Sequence, residues 1–330
     1  MQAGGVRQLR LALPLAVCLA MQVQFGQAQF KPADPAQQSR PPLQPLPQKG
    51  PGDTPTFAIK VNLVRVLVTV RDSNGALLAN LTKEDFAIED SGTPQEIAVF
   101  EQNTSYPLSV AVLMDTSASV QNDLHYEAES VLNFIPALLG SGNPEDTFAI
   151  FTFNWRTSLE SDFSRSKKRA ERVLHGLRGE GGTSLYDAVY LASDALTGRE
   201  GRHVLVVVTD GGDTTSYKHY GEALAAAQRA DVVLYPIVVI PIAGDVGRNM
   251  GGEHALATLA SSTGGRIFYP QGFDRLNQAF ADIIRELRTQ YLLGFYPQEV
   301  REEPRRYHPV TVKVKNAALR VTARDGYYEP

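Results

Sequence analysis

Apolar and polar positions follow two rhythms along the chain, a period of two at both ends and strands alternating with helices between them. Phe57, Ile59, Val61 and Leu63 alternate with Ala58, Lys60 and Asn62, which predicts a half-buried strand. Val64, Val66, Val68 and Val70 continue one residue out of step, as at a bulge or where a strand changes sheets. Asp72-Ser73-Asn74-Gly75 is a turn signal. Short strands follow at 86–89 and 96–100, with Gly92-Thr93-Pro94 turning between them, a β module of about four strands. After Pro107 the apolar run 108–114 predicts a buried strand of a parallel sheet. Leu124, Ala128, Val131, Ile135 and Leu138 then mark one face of a helix. Strands at 146–153, 204–208 and 232–240 alternate with helices at 169–177, from Leu185, and at 220–229. Helices at 253–262 and 273–289 flank a short strand at 266–269, and Pro236 suits a central strand poorly. The alternation predicts an α/β fold, a doubly wound, mostly parallel sheet with helices on both faces. Residues 291–296 and the alternating Val310-Val312-Val314 and Leu319-Val321-Ala323 sets return to β structure. These strands need a partner sheet, so both chain ends are expected to build one β module with the α/β domain inserted in it.

The N-terminus adds a compartment. Arg7 and Arg10 precede the apolar run 11–21, and Gly26-Gln27-Ala28 offers small residues for cleavage, the pattern of a secretory signal peptide. The run is shorter than the ~20 residues a spanning helix needs, so no membrane span is expected in the mature chain. Lipid attachment at Cys18, the only cysteine, is an alternative that Val17 before it disfavours. Prolines crowd between 31 and 56 with Gln and Ser, predicting an extended tether. The expected organisation is a signal peptide at 1–28, a Pro-rich linker at 29–56, the first part of the β module at 57–106, the α/β domain at 107–290, and the C-terminal β strands at 291–330. The product is secreted or periplasmic. The formal net charge is −4, without the clustered basic excess of a nucleic-acid surface.

The candidate chemistry gathers at strand ends. Asp115-Thr116-Ser117-Ala118-Ser119 follows the strand at 108–114, where open α/β sheets place ligand sites. Gly181-Gly182-Thr183-Ser184 and Thr209-Asp210-Gly211 are two further segments able to join it. Asp115, Ser117, Ser119, Thr183 and Asp210 form an oxygen-only set suited to a hard divalent cation. With only two formal negative charges, the ion stays electrophilic and open to a carboxylate from a partner. Enzyme readings find less support: no second Asp stands two residues after Asp115, no Gly-x-Ser-x-Gly elbow occurs, and Gly179-x-Gly181-Gly182 follows a helix rather than a strand. The six histidines show no metal-binding spacing.

Asp115-x-Ser117-x-Ser119, followed by Thr183 and Asp210, resembles the metal-ion-dependent adhesion site of von Willebrand factor A domains over roughly residues 107–290. The flanks, with Tyr291-Leu292-Leu293-Gly294-Phe295-Tyr296 and Gly326-Tyr327-Tyr328, are similar to the secreted bacterial VWFA-related branch. The resemblance implies that Ser117, Ser119 and Thr183 contact the metal while Asp115 and Asp210 act largely through water. It implies Mg²⁺, with Mn²⁺ or Ca²⁺ as alternatives, a protein partner presenting Asp or Glu, and no catalysis. By analogy with related integrin domains it also implies movement of the helix at 273–289. A metal-stabilised structural component of an envelope complex is the alternative function. A metal-assisted hydrolase is a further one, for which no general base is visible.

Overall fold

The computed structural model describes residues 63–102, 106–140, 142–239, 249–297 and 307–328, all within the compact unit Ile59–Pro330. The expected signal peptide, Cys18, the expected Pro-rich linker and the expected strand positions 57–62 lie outside the described residues.

Strand β5 (Leu108–Asp115) is the centre of a five-stranded sheet and is buried at all eight positions. Its pleat feeds two cores. Val110, Val112 and Met114 pack under helices α1 (Leu124–Gly140) and α6 (Phe273–Thr289). Ala111 and Leu113 pack under α3 (Leu185–Leu196), α4 (Tyr220–Arg229) and α5 (Met250–Ser262). Both faces are thus covered, which is why the strand reads as a continuous apolar run. Parallel partners are β6 (Thr147–Phe153) and β8 (Arg202–Thr209), and β9 (Val232–Val238) lies beyond β8. The full order is β7-β6-β5-β8-β9. This is the mostly parallel, helix-flanked sheet expected from the alternation of elements.

Four details correct the sequence reading. β7 (Thr157–Ser164) is an antiparallel edge strand beside β6, in a stretch where no strand was expected. Pro236 sits in β9, an edge strand of the sheet, where the missing N–H removes no ladder bond from a central position. Its carbonyl accepts from Phe268 N at 2.8 Å, and Phe268 O accepts from Val238 N at 2.9 Å. The strand expected at 266–269 is reduced to that single bridge. Helix α2 (Lys167–Leu174) begins two residues before the predicted start and is capped by Ser166, whose hydroxyl accepts from Arg169 N.

The remaining eight strands form two antiparallel sheets. One has the order β12-β1-β10-β4 and the other β13-β11-β2-β3. From the first part of the chain come β1 (Val64–Arg71), β2 (Phe86–Asp90), β3 (Thr93–Gln95) and β4 (Ile97–Gln102). From the last come β10 (Tyr291–Phe295), β11 (Tyr307–Val314), β12 (Arg320–Ala323) and β13 (Gly326–Tyr328). Each sheet therefore takes two strands from each end. Val66, Val68, Ile88, Tyr291, Phe295 and Val310 belong to their common core. The expected turn at Gly92-Thr93-Pro94 lies earlier, at Ser91-Gly92, both with positive φ, and Thr93–Gln95 is already strand.

Candidate functional site

From β5 the chain passes through α1 to β6 on one side, then crosses to β8 on the other. The gap between the C-terminal ends of β5 and β8 is thus the switch point of the sheet, the place where such folds bind ligands. Asp115 ends β5 there, and Asp210 follows the last residue of β8.

Three loops are stitched together at this point. Asp115 is fully buried; its Oδ1 accepts from Ser117 N at 2.8 Å and its Oδ2 from the Thr209 hydroxyl at 2.6 Å. The hydroxyls of Ser117 and Ser119 lie 3.0 Å apart, with Ser117 buried and Ser119 exposed. Ala118 N donates to Gly181 O, and Glu180 N to Thr116 O, joining the first loop to the second. Thr183 O accepts from Thr214 N at 2.8 Å and Thr215 N at 3.1 Å, which ties the second loop to the third. Thr183 is buried and Asp210 half-buried.

Gly181 and Gly182 make the second loop close enough for this. Gly181 has φ +72°, and a side chain there would run into Trp155; one at Gly182 would run into Thr214 and Thr215. Thr183 does not cap α3. Asp213 supplies that function from the third loop, accepting from Tyr186 N at 3.3 Å and from the Ser216 hydroxyl. Asp187 in turn accepts from Tyr217 N and Lys218 N, which anchors the end of the same loop.

Burial pushes the Asp115 carboxyl up to about 6; the hydrogen bonds from Thr209 and Ser117 oppose the rise, and the charge of Asp210 adds to it. Glu127, in the first turn of α1, is more extreme. It is fully buried, and neither carboxyl oxygen has a hydrogen-bond partner among the described residues. Burial raises its pKa well above the usual carboxylate range, and Asp115, Asp210 and Asp123 push it the same way. The sequence reading passed over Glu127, and it placed Thr209 in a joining segment without seeing that its hydroxyl donates to Asp115. The signal for Glu127 was present: on the stripe of Leu124, Ala128 and Val131 it occupies a position where an acid is out of place.

Among the described residues, no three Asp, Glu, His or Cys side chains form a group able to hold a metal ion. A cation held here would have to draw on the Ser117, Ser119 and Thr183 hydroxyls, with the carboxylates of Asp115 and Asp210 beside them. That is an acceptable donor set for a hard divalent ion. A cavity of about 500 Å³ lined by Arg65, Arg199, Arg202, His203, Asp231 and Arg324 lies by the opposite, N-terminal ends of β8 and β9 and takes no part in this cluster.

Residues 110–212 match the family model of the von Willebrand factor type A domain. All five candidate residues, and Glu127, fall within that span. No curated protein matches the chain. Among solved structures, the chain is similar to the PilB minor pilin from Streptococcus sanguinis, at 13% identity over 56% of this chain and 62% of that one, TM-score 0.43. It thus spans less than two thirds of the pilin. It is similar to the vWF domain of the type V pili tip protein Mfa5 from Porphyromonas gingivalis, at 14% identity over 55% of this chain and 95% of that one, TM-score 0.43. A third similarity is to proximal thread matrix protein 1 from the mussel byssus with a zinc occupied MIDAS motif, at 19% identity over 60% of this chain and 49% of that one, TM-score 0.48.

Proposed function

We propose that this chain is an exported, non-catalytic binding module that holds a divalent cation at the β5–β8 switch point and takes a protein partner through an Asp or Glu side chain. The observation that carries the reading is the pair of Ser117 and Ser119 hydroxyls, 3.0 Å apart beside the buried Asp115 carboxylate, at the sheet's ligand-binding edge. The family match over 110–212 supports it. Ser117, Ser119 and Thr183 are the direct oxygen donors, and Asp115 and Asp210 hold bound water. Mg²⁺ is the expected ion, with Mn²⁺ or Ca²⁺ as alternatives. When bound, the ion supplies an electrophilic position open to one more oxygen.

The chain's own residues do the rest. Thr209 and Ser117 N hold Asp115 in one orientation, and the loop contacts to Gly181 and Thr183 fix the spacing of the hydroxyls. The domain boundaries belong to the same proposal: signal peptide 1–28, linker 29–56, β module 57–106 and 291–330, and binding domain 107–290. No helix among the described residues is long and apolar enough to cross a membrane.

Magnesium titration by calorimetry, beside Ser117→Ala and Thr183→Ala, tests the reading. One saturable site in the wild type, weakened at least tenfold in both variants with melting temperatures preserved, is the expected result. Retention of a partner that survives chelation would overturn the metal-dependent mode.

A further inference from the structure

A buried carboxyl without a hydrogen-bond partner is a costly thing to leave in a core. Glu127 is such a group, and its surroundings add to the cost. It stands in the first turn of α1, the helix that directly follows the Asp115–Ser119 loop, and the charges of Asp115, Asp210 and Asp123 all oppose its ionisation. Among the described residues, no basic side chain donates to either carboxyl oxygen. Its backbone is secured, since Glu127 N donates to Asp123 O at 3.1 Å, so the side chain starts from a fixed helical position. An apolar residue would complete the stripe of Leu124, Ala128 and Val131 at no such cost. What compensates an acid at this place is a cation, or the polarised water of its hydration shell, on the side where Asp115 and Asp210 lie.

We infer that Glu127 is a third carboxylate of the metal centre, a positioning residue that accepts from metal-bound water behind the three loops. The inference rests on the metal-binding reading above. A direct ligand role is not part of it, because Glu127, Asp115 and Asp210 do not themselves form a metal-holding group. With Glu127 the centre carries three acidic side chains rather than two. Outer residues of this kind typically set metal affinity by ten- to a hundredfold.

Glu127→Gln keeps the shape and removes the charge. Mg²⁺ and Mn²⁺ affinities are measured by calorimetry on the full chain, and melting temperatures are taken in chelator and in saturating metal. Glu127→Asp, which keeps the charge on a shorter arm, is run alongside. The expected pattern has opposite signs: in chelator Glu127→Gln melts at or above the wild-type temperature, while its metal affinity falls at least tenfold. Glu127→Asp regains part of that affinity. Equal affinities in wild type and Glu127→Gln overturn the inference and leave the metal site standing. So does a parallel fall in chelator stability and affinity with no rescue by Asp, the pattern of a structural residue. Absence of metal binding in the wild type removes both the inference and the reading beneath it.

Discussion

Asp115 shows how the candidate site is held ready at a cost to stability. Its carboxyl is fully buried, and its pKa is raised from 3.8 to about 6 chiefly by that burial. A folded-state value above the unfolded one means that the fold prefers the protonated acid. The contribution to stability is therefore complete below about pH 4 and is lost as pH rises through about 6. At about 1.4 kcal/mol per decade this amounts to about 3 kcal/mol. In chelator, denaturant melts of wild type and Asp115→Asn at pH 4 and pH 7 should diverge by that amount, with the wild type losing more. Saturating Mg²⁺ should reverse the trend, because the water of the proposed hydrated ion is held best by the ionised acid. A wild-type profile parallel to Asp115→Asn would show that the acid is not desolvated as its burial implies.

The loops make the same point at the level of the element. Gly181, with φ +72° and Trp155 against it, lets the second loop turn back so that its carbonyl meets Ala118 N and Thr183 meets the third loop. Gly181→Ala should cost about 1–2 kcal/mol from the left-handed backbone alone, and more from the collision. It should also weaken metal affinity, because Thr183 moves with the loop; a melt and a titration on the same sample check both. How much of this was legible in the sequence depends on burial. β5, β8 and α6 were readable because continuous apolar runs and 3.6-residue stripes report buried faces. β7 was not, because an edge strand of Thr, Ser, Glu and Asp with Leu159 exposed carries neither period. Pro236 read as an obstacle because strand order, which makes β9 an edge, is a tertiary fact. The five candidate residues could be proposed from motif spacing at strand ends. The partners of Asp115 and the isolation of Glu127 emerge only when β5, β8 and α1 come together.

Across the whole molecule, one buried acid couples the two sets of sheets. Glu286, in the last turns of α6, is fully buried and accepts from Arg266 Nε at 2.9 Å, Tyr235 OH at 3.3 Å, Thr69 Oγ1 at 3.4 Å and Arg71. Thr69 and Arg71 belong to β1, whereas Tyr235 belongs to β9. Replacing one member of such a network strands its partners, at about 3–5 kcal/mol when the pair is buried. Glu286→Gln should therefore lower stability by about 3 kcal/mol while leaving metal affinity within twofold of wild type, as calorimetry and melts on the same variant would show. The clamp also opposes the movement of α6 that the integrin resemblance implies. Sliding the helix would break these contacts and disturb β10, which starts at Tyr291, two residues after the helix ends at Thr289.

The way β1 meets β10 has a mechanical meaning. Val64 pairs with Phe295 and Val68 with Tyr291, so the strands run in opposite directions. The chain enters β1 at its Val64 end, while the α/β domain is joined to β10 at the Tyr291 end, beside Gln102 of β4. A pull between the Val64 end of β1 and the α/β domain thus draws the two strands lengthwise past each other. Their ladder bonds are loaded together, in shear, instead of opening one after another like a zipper. The β1–β10 joint is built to bear tension.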